Sequence, residues 1–110
     1  MSDGQHVAAE IPADEAIERV KAGDWLLDVR EQDEWDHGHA EEAHLIPMSV
    51  IEERVGEIPA DAKLLVICHS GYRSWTVTKA LVAAGYDAVS VAGGMDAWQS
   101  AGGVVVRDQS

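Results

Sequence analysis

Residues 68–74 read Cys-His-Ser-Gly-Tyr-Arg-Ser, and Cys68 is the one cysteine of the chain. An apolar run, LLVI at 64–67, leads straight into it, and a helical pattern follows. A loop between a strand end and a helix N-terminus can turn its backbone N–H groups inward around the sulfur. The positive end of the helix points at the same spot. Gly71 permits a backbone conformation that a side chain forbids. Arg73 supplies a permanent positive charge and a fork of donors for an anion. Each feature favours a thiolate over a thiol, so Cys68 reads as a nucleophile rather than a core-filling residue. His69 can tune Cys68, more through its backbone N–H than its ring. Tyr72 and Trp75 flank the loop; Tyr72 reads equally as a pocket rim or a packing ring, and Trp75 as packing. A second polar cluster, Asp28-Val29-Arg30, ends another apolar run.

These groups need elements to position them. A short strand is expected near residues 7–11, with residues 1–9 otherwise a loose segment. A helix is expected over 12–22, with Ala13, Ile17 and Val20 on one face and Asp14 and Glu15 in its first turn. Gly23 ends it. Residues 25–29 form an apolar run too short for a helix, and so a strand buried on both faces. The polar stretch 31–42 reads as a loop with a turn of helix around Trp35. Residues 43–46 form a strand stopped by Pro47. Ser49 and Glu52 suggest a capping box, opening a helix lined by Ile51, Val55 and Ile58. Residues 64–67 are the clearest strand. A helix over 74–84 presents Val77, Ala80, Leu81 and Ala84, and 88–91 is a further strand. Gly93-Gly94 turns into a last helix carrying Met95 and Trp98, and 104–106 is an edge strand or tail. Trp25, Trp35 and Trp98 read as core in a chain without phenylalanine. Continuously apolar strands alternating with helices imply an α/β fold, a mainly parallel sheet of about five strands with helices on both faces. Ligands of such folds sit beyond the carboxyl ends of the strands. Both polar clusters, Asp28–Arg30 and Cys68–Arg73, fall at such ends.

Composition narrows the partners. The 110 residues are expected to form a single domain (1–110). Hydrophobic residues make up 46% of the chain, too many for a disordered one. Twenty acidic residues against eight basic ones give a formal charge of -12. That argues against binding nucleic acid or an anionic membrane through a broad surface. One cysteine excludes an internal disulfide and a C-x-x-C redox pair. No apolar run approaches the roughly 20 residues that span a bilayer, and the N-terminus lacks a signal-peptide pattern. A cytoplasmic location is expected. The acidity reads as a solvated face, with docking of a basic partner or adaptation to high salt as alternatives. His37, His39 and His44 lie close together, but H-x-H alone is not read as a metal site. No metal or organic cofactor is expected.

Several pieces, taken in order, resemble the single-domain rhodaneses, a family of sulfurtransferases. They are LLDVREQDEW (26–35), GH (38–39), IP (46–47), LLVICHSGYRS (64–74) and GGMDAWQSAG (93–102), within a resemblance that covers about residues 10–106. The chain departs from the family after Gly38-His39, where Ala40-Glu41-Glu42-Ala43 replaces the usual Ile-Pro-Gly-Ala. The resemblance implies that Cys68 takes a sulfane sulfur and becomes a persulfide. It makes His69, Ser70, Gly71, Tyr72 and Arg73 the cradle, with Arg73 contacting an anionic donor. Ser74 would start the helix and hydrogen-bond the sulfur. Asp28 and Arg30 would support the site, either as a structural ion pair or through substrate contact. His39 falls on the Gly-His position and would be structural.

Cysteine phosphatases use a similar cradle with C-x5-R spacing, whereas Cys68 and Arg73 stand at C-x4-R. A phosphate group needs a wider ring of N–H groups than one outer sulfur, so the shorter loop favours sulfur transfer. The expected reaction moves a sulfane sulfur from a donor such as thiosulfate to a thiophilic acceptor: cyanide in an assay, a thiol or a protein in the cell. The alternative is a persulfide-carrying or regulatory binding module that serves a dedicated protein partner.

Overall fold

The computed structural model describes residues 7–107. The elements are β1 (Glu10–Ile11), α1 (Ala13–Lys21), β2 (Trp25–Asp28), α2 (Gln32–Asp36), β3 (His39–Ala40), β4 (Ala43–Leu45), α3 (Ile51–Arg54), β5 (Lys63–Ile67), α4 (Tyr72–Ala83), β6 (Asp87–Val91), α5 (Gly94–Ser100) and β7 (Val105–Val106). Single 3-10 turns at Met48–Val50 and Val55–Glu57 flank α3. Five strands form one parallel sheet in the order β1-β6-β5-β2-β4. The expected α/β fold is the observed one.

The apolar strands explain the layering. In a strand, successive side chains leave opposite faces of the sheet. Leu26, Leu65, Ile67 and Val91 therefore face α1 and α5, where they pack with Ala16, Val20, Met95 and Trp98. Leu27, Leu64, Val66 and Ala88 face the other way, against Val77 and Leu81 of α4 and Ile46 and Ile58 of the α3 region. Burying each such aliphatic side chain contributes about 1.5–3 kcal/mol. Strand β5 lies in the middle, paired with β2 on one side and β6 on the other. Its C-terminal end delivers Cys68.

Several local expectations are corrected. The turn of helix expected around Trp35 is α2, while the rest of the stretch read as loop also holds the short strand β3. Helix α2 is opened by a capping box of Glu31 and Glu34, with a glutamate in place of the usual Ser or Thr at the cap. Strand β3 pairs antiparallel with β7, His39 opposite Val106 and Ala40 opposite Val105. Residues 104–106, read as an edge strand or tail, thus supply a strand to this second, two-stranded sheet. The Ser49–Glu52 capping box does not form. Val50 occupies the N-cap of α3 with no side-chain cap, and the Ser49 hydroxyl donates to Glu31 Oε1 at 3.1 Å instead. The strand expected near residues 7–11 is confined to Glu10–Ile11, although the carbonyl of Ala9 also accepts the Ser90 N–H at 2.9 Å. Of the segment 1–9 read as loose, residues 1–6 lie outside the described residues.

Helix α4 begins at Tyr72 rather than Ser74, because Gly71 takes a left-handed conformation (φ 107°) and serves as the N-cap. Val77 and Leu81 are buried as expected, whereas Ala80 and Ala84 are exposed and line an open groove against α3. Of the tryptophans read as core, Trp98 is fully buried. Trp25 and Trp35 are half-buried and stack on His44 and His39, with ring centroids 4.1 and 3.5 Å apart. Trp75 is half-buried, with Lys79 Nζ 5.9 Å from its ring centroid.

Candidate active site

Cys68 follows the last residue of β5 and is 1% exposed. Two backbone amides aim at its sulfur: Gly71 N–H donates to Sγ at 3.1 Å and Ser74 N–H at 3.3 Å. Both stand at the start of α4, which also turns its positive end toward the sulfur. Negative charge on sulfur is the form these donors favour. The conformation of Gly71 is needed here, since a Cβ at that position would also crowd the backbone N of Gly93 at 3.2 Å.

Two serines complete the cradle. The Cys68 thiol donates to Ser74 Oγ at 3.4 Å, and Ser74 Oγ donates to the Gly71 carbonyl at 3.2 Å. Ser90 of β6, wholly buried, shares a hydrogen bond with Ser74 at 2.8 Å. If sulfur loses its proton, rotation of the Ser74 hydroxyl turns that contact into a donor to sulfur. Sequence reading missed Ser90; the available signal is a serine inside the apolar strand Asp87–Val91.

The loop's carbonyls are held from the far side by α5. Met95 N–H donates to the Cys68 carbonyl at 2.7 Å, and Asp96 N–H to the His69 carbonyl at 3.2 Å. With carbonyls anchored outward, amides are left to face the sulfur. Gly94 makes this approach possible, since a Cβ there would overlap the Cys68 and His69 carbonyl groups. Gly93-Gly94, read only as a turn, therefore places the loop.

The remaining loop side chains point outward. His69, Ser70 and Tyr72 are exposed, Tyr72 to 81%. His69 Nε2 lies 3.6 Å from Asp96. Arg73 does not project free toward an incoming anion. Its two terminal nitrogens bind the Glu34 carboxylate at 2.7 and 2.8 Å. The hydrogen bond from Arg73 is the main reason that Glu34 titrates at about 2, with burial opposing and the Glu31 N–H assisting. The same contact raises Arg73, and attraction to Cys68 and Asp28 adds to it. Glu34 was not singled out in the sequence.

Asp28 and Arg30 form a buried pair, 0% and 4% exposed. Arg30 Nε donates to both Asp28 oxygens at 3.0 and 3.1 Å, and Nη2 to Oδ2 at 2.8 Å. Nη2 also reaches the Gly38 carbonyl at 2.8 Å, and Nη1 the Glu34 carbonyl at 3.4 Å. The pair thus ties the end of β2 to both ends of the 34–38 turn. The geometry is that of an ion pair, the first of the two roles considered.

His37, His39 and His44 do not converge. His37 Nδ1 meets the Asp33 carbonyl at 2.7 Å, while His39 and His44 stack on different tryptophans. Among the described residues no group of three or more His, Cys, Asp or Glu is arranged to hold a metal ion, and no helix is long and apolar enough to cross a membrane.

Comparison with known proteins agrees with this architecture. The chain is 40% identical over 95 residues to thiosulfate sulfurtransferase 18 of Arabidopsis thaliana, covering 72% of this chain and 69% of that one. It is 35% identical over 85 residues to a sulfurtransferase of Allochromatium vinosum, covering 76% and 79%. A rhodanese-related protein of Thermoplasma volcanium superimposes with a TM-score of 0.85 at 34% identity, covering 91% of this chain and 99% of that one. Some matched relatives are much longer, and the chain spans 19% of MoeZ of Mycobacterium tuberculosis. The rhodanese-like domain model matches residues 12–101, and the chain belongs to that family.

Proposed function

We propose that this protein is a sulfurtransferase that carries sulfane sulfur as a Cys68 persulfide. The observation that carries the reading is the pair of amides, from Gly71 and Ser74, aimed at Cys68 Sγ at 3.1 and 3.3 Å. The names of the Arabidopsis and Allochromatium relatives support it. In the first step the Cys68 thiolate attacks the outer sulfur of a donor such as thiosulfate. The S–S bond of the donor breaks, sulfite leaves with its electron pair, and Cys68–S–S⁻ remains. In the second step an acceptor nucleophile (cyanide in an assay, a thiol or a protein thiol otherwise) takes the outer sulfur, and the thiolate returns. The oxidation state of the transferred sulfur does not change.

The fixed amides and the helix end stabilise charge on the inner or the outer sulfur without reorganising. Ser74 follows the same charge with its hydroxyl, held in place by Ser90. Double-displacement kinetics follow from the covalent intermediate.

The test is the intact mass after incubation with thiosulfate, for the wild type and for Cys68→Ser. The expected result is a gain of one sulfur atom in the wild type, reversed by cyanide and absent from the variant. A folded wild type with reduced Cys68 and no gain from thiosulfate or from a persulfide donor would refute the reading.

A further inference from the structure

We infer that Glu34 is a specificity-determining residue, an internal carboxylate that a dianionic sulfur donor must displace from Arg73 before it can use that guanidinium. The inference deepens the reading of Cys68 as a sulfur-transfer nucleophile and rests on it.

Arg73 is the cation of the catalytic loop, and both of its terminal nitrogens are committed to Glu34. The carboxylate is not a loose surface group. Glu34 Oε1 accepts the Glu31 N–H at 3.0 Å, and its backbone carbonyl accepts from Arg30, which the buried Asp28 anchors. The Arg73 hydrogen bond holds the carboxyl well below the usual carboxylate range, so near neutral pH it competes as a full negative charge with an anionic donor. The flank of the loop beside Glu34 is itself rich in carboxylates. A cavity of about 490 Å³ lies on the Glu34 side of the loop, lined by Arg30, Asp33, Glu34, His37, His69 and Asp96 among others, with neither Cys68 nor Arg73 in its lining. Arg30 is neutralised by Asp28 at 2.8 Å. A dianion thus meets an occupied arginine with carboxylates on its flank.

A persulfide donor, R–S–SH, makes a different demand. The Cys68 thiolate attacks its outer sulfur, Cys68–S–SH forms, and R–S⁻ leaves with the electron pair. No sulfonate-like head needs a guanidinium. The amides of Gly71 and Ser74 serve both donors alike. Glu34 therefore biases the site toward donors without a dianionic group.

The test separates the two groups of interactions. Thiosulfate binding is measured by calorimetry on Cys68→Ser, with and without Glu34→Gln, so that no turnover is required. Freeing Arg73 and removing one negative charge is expected to tighten binding on the order of tenfold. Unchanged or weaker binding would overturn the inference. In the Cys68 protein, Glu34→Gln is expected to raise kcat/KM for thiosulfate through KM and to leave that for 2-hydroxyethyl hydropersulfide within about twofold. An equal rise for both donors would also overturn it, because Glu34 would then act on Cys68 rather than through Arg73. Should the variant fold poorly, crystals of the wild type soaked in sulfite give the answer. Sulfite bound to Arg73 with Glu34 swung away is expected; sulfite on Arg73 beside an intact pair would refute the gate. Failure of the underlying sulfur-transfer reading shows separately, as a wild type that gains no sulfur.

Discussion

Arg30 and Arg73 are both paired arginines, yet they differ in burial and in consequence. Arg30 is enclosed with Asp28, and removing it would leave a carboxylate buried at 0% exposure without a counter-charge. Such a loss costs about 3–5 kcal/mol, far more than an exposed pair contributes. Arg30→Leu is therefore expected to lower the urea midpoint sharply, and adding Asp28→Asn should recover part of the loss. Equal midpoints for wild type and Arg30→Leu would contradict the structural role. Arg73 and Glu34 are each about one-third exposed, so their pair bears mainly on donor binding. At this scale the sequence was legible where the residues were contiguous. Cys68, Gly71 and Arg73 could be read from one short loop. Glu34 could not, because it stands 39 residues from the arginine it occupies, inside a stretch that lacks helical periodicity. Ser90 was hidden for a similar reason, since only the sheet register brings β6 beside Ser74.

The cradle depends on how two helices meet one strand end. Helix α4 supplies the amides that face the sulfur, and α5 takes the carbonyls that face away. The contact of α5 with the loop requires a residue without a side chain at 94, where φ is +56°. Gly94→Ala is expected to push the Cys68–His69 carbonyls away and to slow persulfide formation at least about tenfold, since small misplacements cost on that order. Stopped-flow thiosulfate kinetics, with a thermal melt to confirm folding, would check this. A folded variant with an unchanged rate would show that α5 does not place the loop. The elements missed in the sequence share one physical property. Helix α2, read only as a turn around Trp35, has five residues, too few for a hydrophobic face to repeat and mark its ends. Strand β3 has two, and its partner β7 lies at the other end of the described chain. The apolar strands were legible because burial on both faces leaves an uninterrupted signature.

For the whole molecule the dominant property is charge, -12 on 110 residues. Like charges repel most in the compact state, and salt screens that repulsion over a Debye length of about 10 Å at 0.1 M. Raising ionic strength from about 0.05 to about 0.5 M is thus expected to raise Tm by a few degrees. A fall in Tm would mean that attractive pairs such as Arg19–Asp24 and Arg54–Glu57 outweigh the general repulsion. The same charge favours a cationic over an anionic partner for any protein acceptor of the sulfur.

The place of β5 in the sheet has one more consequence. A parallel sheet opens from its edges, and here the edges are β1 and β4. Cys68 hangs from the central strand, shielded by a neighbour on each side. Partial fraying exposes other residues first and leaves the thiol covered. Reagents that depend on such fraying gain no route to it, and small molecules must enter as a sulfur donor would, through the loop at the strand's end. The strand order thus leaves the cradle itself as the route by which the sulfur meets the outside.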